Sequence, residues 1–117
     1  MKLNHVNLTV TDVIAARQFL EKYFGLCNLD TSGDTRSDEA FAVLLDDDGS
    51  VITLMKGKEV RYPRTFHIGF IQESEERVNE LNLRLRNDGY NVAPPKRSHG
   101  WTFYVQAPGG FTVEVLA

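Results

Sequence analysis

The chain has 117 residues, of which 42% are hydrophobic and 25% charged, and its formal net charge is −3. This length suits one domain that buries a core without disulfides, and the slight acidic excess argues against nucleic acid as a partner, because phosphate binding requires a basic surface. No run approaches the roughly 20 apolar residues of a membrane span, and the N-terminus lacks the apolar core of a signal peptide. We therefore expect a soluble cytoplasmic protein with no membrane partner. The single cysteine, Cys27, excludes an internal disulfide and is expected to be a small buried hydrophobe.

The first half of the chain begins with an alternating strand pattern, Leu3 to Val10, which places His5, Asn7 and Thr9 on one face. Apolar residues at helical spacing follow. Thr11 or Asp12 is expected to cap this helix and Gly25 to end it. The remaining first-half predictions are strands at Leu26–Asp30, Ala40–Leu45 and Val51–Met55, a polar loop at Thr31–Asp38 and a turn at Asp46–Gly49.

The second half repeats this order. Thr65 to Ile71 is a predicted strand with His67 and Gly69 on one face, and a helix runs from its Ser74 cap to Gly89. Three further strands are predicted: one that begins at Asn91–Val92 and is interrupted by Pro94-Pro95, then Trp101–Gln106 and Phe111–Leu116.

These offsets indicate an internal repeat. His5 precedes His67 by 62 residues, Gly25 precedes Gly89 by 64, and Gly49 precedes Gly110 by 61. We predict an α+β fold of two βαβββ modules that form a cupped mixed sheet. The expected organisation is module one at 1–57, a linker at 58–64 and module two at 65–117.

Three chemistry-bearing residues occupy the strand faces that no helix is expected to cover. His5 and His67 fall at equivalent positions of the repeat, and Glu114 lies on the polar face of the last strand, where a charge is costly unless it meets water, a cation or a metal. We predict that the three meet around one divalent metal. Two imidazoles and one carboxylate suit Fe(II), Mn(II), Ni(II), Co(II) or Zn(II) and leave positions open for water or substrate. The open alternative is that these residues line a metal-free binding cleft.

Three segments carry a resemblance to a known family: Asn-His-Val-Asn-Leu-Thr-Val near the N-terminus, Phe-His-Ile-Gly-Phe at the start of the second half, and Phe-Tyr-Val-Gln-Ala-Pro-Gly-Gly-Phe-Thr-Val-Glu-Val at the end. With the repeat, they resemble the vicinal oxygen chelate superfamily over essentially the whole chain. This group includes glyoxalase I, fosfomycin-resistance enzymes, extradiol dioxygenases and bleomycin-resistance proteins. The resemblance implies a glyoxalase-like fold but does not identify the reaction, because one scaffold there hosts several reactions.

The resemblance also implies roles for individual residues. The family's metal positions match His5, His67 and Glu114, whereas the fourth ligand of glyoxalase I corresponds to Thr53. That departure argues against glyoxalase I activity itself and for an open three-ligand site. Positions equivalent to Thr102 and Tyr104 contact the substrate in fosfomycin-resistance enzymes. The resemblance further implies a homodimer, in which His5 can come from the partner chain.

Further residues complete the expected site. Glu114 and Tyr104 are the expected catalytic residues. The expected substrate-binding residues are Asn7, Thr102, Tyr104 and the loop residue His99, for which plain loop exposure is the competing interpretation.

The overall prediction is a divalent-metal-dependent enzyme acting on a small oxygen-chelating substrate. The reaction classes left open are lyase or isomerase chemistry, thiol or water addition as in antibiotic resistance, and ring cleavage by a dioxygenase. The alternatives are a metal-free protein that sequesters a drug or metabolite and, more weakly, an accessory or regulatory domain.

Overall fold

The computed structural model describes residues 1–29 and 39–117, which form two compact units. The first contains Met1–Tyr62 with Pro108–Gly110, and the second contains Pro63–Ala107 with Phe111–Ala117. The predicted loop at Thr31–Asp38, and the last residue of the strand predicted to end at Asp30, lie outside the described residues.

The first unit contains strand β1 (His5–Val10), helix α1 (Val13–Phe24) and strands β2 (Cys27–Asn28), β3 (Phe41–Leu45) and β4 (Val51–Lys56). The strands form a mixed sheet in the order β1-β4-β3-β2, in which only the β1–β4 pair is parallel. Of the two expected caps, Asp12 begins α1, because its Oδ1 accepts a hydrogen bond from the backbone N–H of Ala15 at 3.0 Å. Gly25 ends the helix as predicted, with a left-handed φ of 66°.

One face of this sheet packs on α1 and the other does not. Leu8 and Val10 of β1 are fully buried, together with the helix residues Val13, Ala16 and Leu20. The alternate residues His5, Asn7 and Thr9 are exposed. This alternation is the predicted one, since successive strand side chains point to opposite faces.

Cys27 corrects an expectation. It is exposed rather than buried. Its short strand is an edge of the sheet, where few neighbours cover a side chain.

The second unit contains β5 (Ile68–Ile71), helix α2 (Glu75–Asn87), β6 (Lys96–Arg97), β7 (Trp101–Ala107) and β8 (Phe111–Leu116). The sheet order is β5-β8-β7-β6, with β5 and β8 parallel. Ser74 caps α2 as predicted, since its Oγ accepts from the N–H of Arg77 at 3.2 Å. No described helix in either unit is long and apolar enough to cross a membrane.

Two second-unit boundaries differ from the prediction. His67 lies just before β5 rather than inside it. The strand expected at Asn91–Val92 instead forms after Pro94-Pro95, as β6. Proline has no N–H to donate to a sheet ladder, so pairing begins once both prolines have passed.

Strand register confirms the repeat alignment. Thr53 of β4 pairs with Asn7 and Val43, and Glu114 of β8 pairs with Gly69 and Tyr104. Each is therefore the same residue of the same strand in its own module, flanked by the same two strands. The α+β fold of two βαβββ modules is as predicted.

Candidate functional site

The second unit holds a buried carboxylate on the face of its sheet opposite the helix. Glu114 is only 4% exposed, and its strand neighbours Val113 and Val115 are fully buried toward the other face. Such a charge needs several partners to remain ionised. Burial by itself would raise the pKa of Glu114, but hydrogen bonds from Thr102, Tyr104 and His99, with the charge of His99, outweigh it and hold the pKa below its ordinary value.

Two of these partners share one carboxylate oxygen. Thr102 Oγ1 donates to Glu114 Oε2 at 2.7 Å, and His99 Nε2 lies 2.6 Å from the same atom. A carboxylate only accepts hydrogen bonds, so His99 Nε2 carries a hydrogen here. Glu114 Oε2 is therefore fully engaged by side chains of its own unit.

The hairpin between β6 and β7 brings His99 to this position. The N–H of Ser98 donates to the carbonyl of Gly100 at 2.9 Å, which closes a tight three-residue loop around His99. A side chain at Gly100 would lie 2.9 Å from the carbonyl oxygen of Ala117, so only glycine fits without a shift. His99 is 53% exposed, which allows both solvent and a ligand to reach it.

The other carboxylate oxygen faces His67. Nε2 of His67 lies 3.5 Å from Glu114 Oε1, and its Nδ1 lies 2.9 Å from the carbonyl oxygen of Thr65. Because a carbonyl can only accept, Nδ1 carries the hydrogen, and in the neutral ring Nε2 presents a lone pair. A lone pair of nitrogen and a carboxylate oxygen thus face each other, an arrangement that a cation between them would stabilise.

The two histidine distances separate two kinds of contact. Two atoms bound at about 2.1 Å to one metal lie about 3.0 Å apart at a right angle and about 3.4 Å apart at the tetrahedral angle. The 3.5 Å between His67 Nε2 and Glu114 Oε1 is close to the second value, whereas the 2.6 Å between His99 Nε2 and Glu114 Oε2 is a direct hydrogen bond. The residues present therefore fit a metal between His67 and Glu114 Oε1, with His99 outside its ligand set.

The backbone beside Glu114 Oε1 leaves room for such an ion. Gly69 is the register partner of Glu114 on β5, and a Cβ built there would lie 3.8 Å from Oε1. A larger side chain at this position would start from a Cβ that is already in contact distance of Oε1.

Tyr104 stands directly across from Glu114 on β7, and its ring meets that of His67 edge to face, with centroids 5.4 Å apart and planes at 87°. Burial, followed by its hydrogen bond to Glu114 and the charge of that carboxylate, raises the pKa of the Tyr104 phenol. The side chain is 42% exposed. Its hydroxyl is therefore a neutral hydrogen-bond donor, on a side chain that solvent reaches.

The first unit carries the remaining predicted residues. His5 Nδ1 lies 2.9 Å from Asn4 Oδ1, an acceptor, so its Nε2 also presents a lone pair. Thr53 Oγ1 donates to Asn7 Oδ1 at 2.8 Å, which leaves the amide hydrogens of Asn7 for another partner.

The structure therefore brings together four predicted residues of the second unit: His67, His99, Thr102 and Tyr104 all surround Glu114. Among residues 1–29 and 39–117, no group of three His, Cys, Asp or Glu side chains is spaced to hold a metal ion. The described residues bring together one pair of candidate ligand atoms, His67 Nε2 and Glu114 Oε1.

Sequence reasoning assigned no supports to the two histidines. The side chain of Asn4 and the backbone carbonyl of Thr65 hold the Nδ1 atoms of His5 and His67. Thr102 was expected to contact substrate, but it is 1% exposed and its hydroxyl faces Glu114, which weighs against that role.

Comparison with known proteins supports the resemblance seen in the sequence. Structures of two similar proteins cover nearly the whole chain. One, described as a possible glyoxalase from Bacillus cereus, shares 60% identity and a TM-score of 0.91, covering 100% of this chain and 99% of that one. The other is the fosfomycin resistance protein FosX from Listeria monocytogenes, solved as an E126Q mutant with Mn(II) and 1S,2S-dihydroxypropylphosphonic acid. It shares 26% identity and a TM-score of 0.80, covering 99% of this chain and 91% of that one.

A glyoxalase/dioxygenase from Nostoc punctiforme, 22% identical with a TM-score of 0.77 over 97% of this chain and 88% of that one, shares the fold. No curated protein matches the chain. The model of the Glyoxalase/Bleomycin resistance protein/Dioxygenase superfamily matches residues 2–115. The chain therefore belongs to this superfamily, as its repeat and motifs predicted.

Proposed function

We propose that this protein is a divalent-metal-dependent enzyme whose ion is held by His67 Nε2 and Glu114 Oε1, with His5 as the third ligand implied by the family resemblance. The observation that carries this proposal is the facing pair of acceptor atoms 3.5 Å apart, with the histidine tautomer set by the Thr65 carbonyl. Asn4 holds His5 in the equivalent state. Such second-nitrogen contacts accompany nearly all metal-binding histidines.

When bound, the ion would act as a Lewis acid on a substrate oxygen. The surrounding side chains of the second unit would then orient the substrate. The neutral Tyr104 hydroxyl can turn its hydrogen from Glu114 to a substrate oxygen on which negative charge develops, and His99 can hold or move a proton at Nε2. The amide hydrogens of Asn7 are a further contact proposed for substrate.

The substrate class we propose is a small molecule with two neighbouring oxygens that can chelate the ion. Support comes from the relatives: FosX of Listeria monocytogenes was crystallised with Mn(II) and a dihydroxylated phosphonic acid, and the Bacillus cereus protein is described as a possible glyoxalase. Mn(II) is accordingly the first metal to test, and fosfomycin with water as nucleophile is the first reaction. A homodimer is also proposed, and light scattering after size exclusion tests it.

The deciding experiment is elemental analysis of protein purified without chelator, followed by titration with Mn, Fe, Co, Ni and Zn. We expect one ion per site in the wild type and strongly reduced metal binding in His67→Asn, which removes the Nε2 ligand atom. Glu80→Gln changes a surface glutamate of α2 that pairs with Arg77 at 2.9 Å, and it should bind metal normally. A wild-type protein that contains no metal and takes up none of the five ions would refute the proposal.

A second candidate is a metal-free protein that sequesters an aromatic drug or metabolite. One observation favours it: the sheet face of the first unit that lacks a helix exposes Phe41 and Met55, which are register partners 39% and 49% exposed. Apolar side chains in a row suit an aromatic ligand. Tight binding that EDTA leaves unchanged would support this function, and loss of binding in EDTA would exclude it.

A further inference from the structure

Thr102 is a buried polar residue whose position the proposed chemistry leaves unexplained. In the described part of the chain, three polar side chains are buried: Asn82, Thr102 and Glu114. Asn82 has a structural partner, since its Nδ2 donates to the carbonyl of Ala93 at 2.9 Å. Thr102 instead places its hydroxyl against the carboxylate at the centre of the candidate site.

The hydroxyl of Thr102 has one hydrogen and two acceptors within reach. Glu114 Oε2 is at 2.7 Å and the carbonyl oxygen of Val115 is at 3.1 Å. A hydroxyl bound to a carboxylate typically spans about 2.5–2.7 Å and is roughly twice as strong as a neutral pair. The hydrogen therefore points mainly toward Glu114 Oε2, and the Val115 carbonyl is the weaker second acceptor of the same hydroxyl.

Register explains the direction of this bond. Tyr104 stands directly across from Glu114, and Thr102 is two residues away on the same face, paired with Leu116. Thr102 thus reaches Glu114 diagonally and holds Oε2 on that side, while Oε1 is left to face His67. Without the Thr102 contact, only the half-exposed His99 would hold Oε2, so the Glu114 side chain could change rotamer and present both oxygens to one ion.

We propose that Thr102 is a positioning residue that fixes the Glu114 side chain in one rotamer and makes Glu114 a one-oxygen ligand through Oε1. The metal part of this inference rests on the proposed function. The rotamer part does not, because it concerns two side chains of the metal-free chain.

Two substitutions remove the hydroxyl and one keeps it. Thr102→Val preserves shape, and Thr102→Ala is the second variant, which avoids placing a methyl group against the carboxylate. Thr102→Ser keeps the donor. The matched control is Thr112→Val: Thr112 lies on β8 and its hydroxyl accepts from Gln106 Nε2 at 2.7 Å, a cross-strand bond between the same two strands without Glu114.

The experiment has two measurements on the full chain. Three-bond couplings of Glu114 in chelator-treated protein report its χ1 rotamer, and Mn(II) titration followed by electron paramagnetic resonance reports affinity. We expect Thr102→Val and Thr102→Ala to average the Glu114 rotamers and to weaken Mn(II) binding by about 10- to 100-fold, the usual effect of losing a residue that orients a metal ligand. Thr102→Ser and Thr112→Val should match the wild type in both measurements.

The inference is overturned if Glu114 keeps a single rotamer in both variants that lack the hydroxyl, whatever their affinity. Equal losses in Thr112→Val would also overturn it, since strand disruption would then explain the effect. If the wild type binds no Mn(II) but rotamer averaging appears in the variants, the positioning role stands and the proposed metal function fails.

Discussion

Replacing Glu114 with glutamine tests the site most sharply, because the two carboxylate oxygens have different surroundings. Oε2 accepts from Thr102 at 2.7 Å and from His99 at 2.6 Å, whereas Oε1 faces the Nε2 lone pair of His67 at 3.5 Å. Glutamine should therefore keep its oxygen at the Oε2 position and place its NH₂ at the Oε1 position. The opposite orientation would set the NH₂ donors against the hydroxyl and imidazole donors.

The predicted change in stability is small. A hydrogen bond to a charged group contributes about 1.5–3 kcal/mol and one between neutral groups about 0.5–1.5 kcal/mol, so the hydrogen bonds from Thr102, His99 and Tyr104 weaken by about 1 kcal/mol each. The new amide hydrogen bond to His67 offsets about 1 kcal/mol, and the desolvation cost of a buried charge disappears. The free energy of unfolding without metal should change by less than about 2 kcal/mol.

Metal affinity should respond differently. The NH₂ group would replace the ligand oxygen Oε1, and it would also donate a hydrogen bond to the lone pair of His67 Nε2. Since loss of an outer supporting contact already costs about 10- to 100-fold, loss of the ligand itself should cost at least about 100-fold. Urea unfolding of chelator-treated protein measures the free energy of unfolding without metal, and Mn(II) titration measures the affinity. Wild-type affinity in Glu114→Gln would refute the ligand assignment, and a loss of stability above about 4 kcal/mol would refute the assigned orientation of the two oxygens.

Three further changes give separate predictions. Gly69→Val should weaken Mn(II) binding, because it adds two γ-methyl groups to a Cβ that would already lie 3.8 Å from Glu114 Oε1. Tyr104→Phe should lower turnover more than metal affinity, since it removes a donor and no ligand; the pKa of Tyr104 is raised, so wild-type turnover should not lose this donor until above about pH 10. Gly109→Ala should destabilise the protein by about 1–3 kcal/mol in thermal or urea unfolding, because its φ is 96° and the new Cβ would lie 2.9 Å from Val10 Cβ.

Matched variants control the two glycine predictions. Gly69→Ala should bind Mn(II) nearly as the wild type does, since its Cβ contacts of 3.6–3.9 Å are ordinary. Gly49→Ala has a similar φ of 80° but open space around it, so it should cost less than Gly109→Ala. The first argument is contradicted if Gly69→Val binds Mn(II) as tightly as the wild type, and the second if Tyr104→Phe loses Mn(II) affinity tenfold. The third is contradicted if Gly109→Ala and Gly49→Ala lower the free energy of unfolding equally.

Most of the fold followed from local patterns. Alternation placed His5 and Asn7 on the face opposite Leu8 and Val10, because strand side chains alternate whatever the partner strand. The errors lay where pairing decides the outcome: β6 forms only after Pro95, and Cys27 is exposed because its strand is an edge. The start of β6 follows from the missing N–H groups of Pro94 and Pro95, whereas the exposure of Cys27 depends on its edge position, which residue types do not encode.

The candidate site shows the same division. The sequence by itself determined the repeat, the α+β class and the positions of His67 and Glu114, because their spacing and parity do not depend on distant contacts. Only the tertiary structure decided which oxygen of Glu114 is engaged and which faces His67, since that depends on cross-strand register and on the hairpin that carries His99. The direction of the Thr102 hydroxyl, toward Glu114, has the same origin: a hydroxyl on a strand face can point toward solvent or toward a neighbouring carboxylate, and the pairing of β7 with β8 chooses between them.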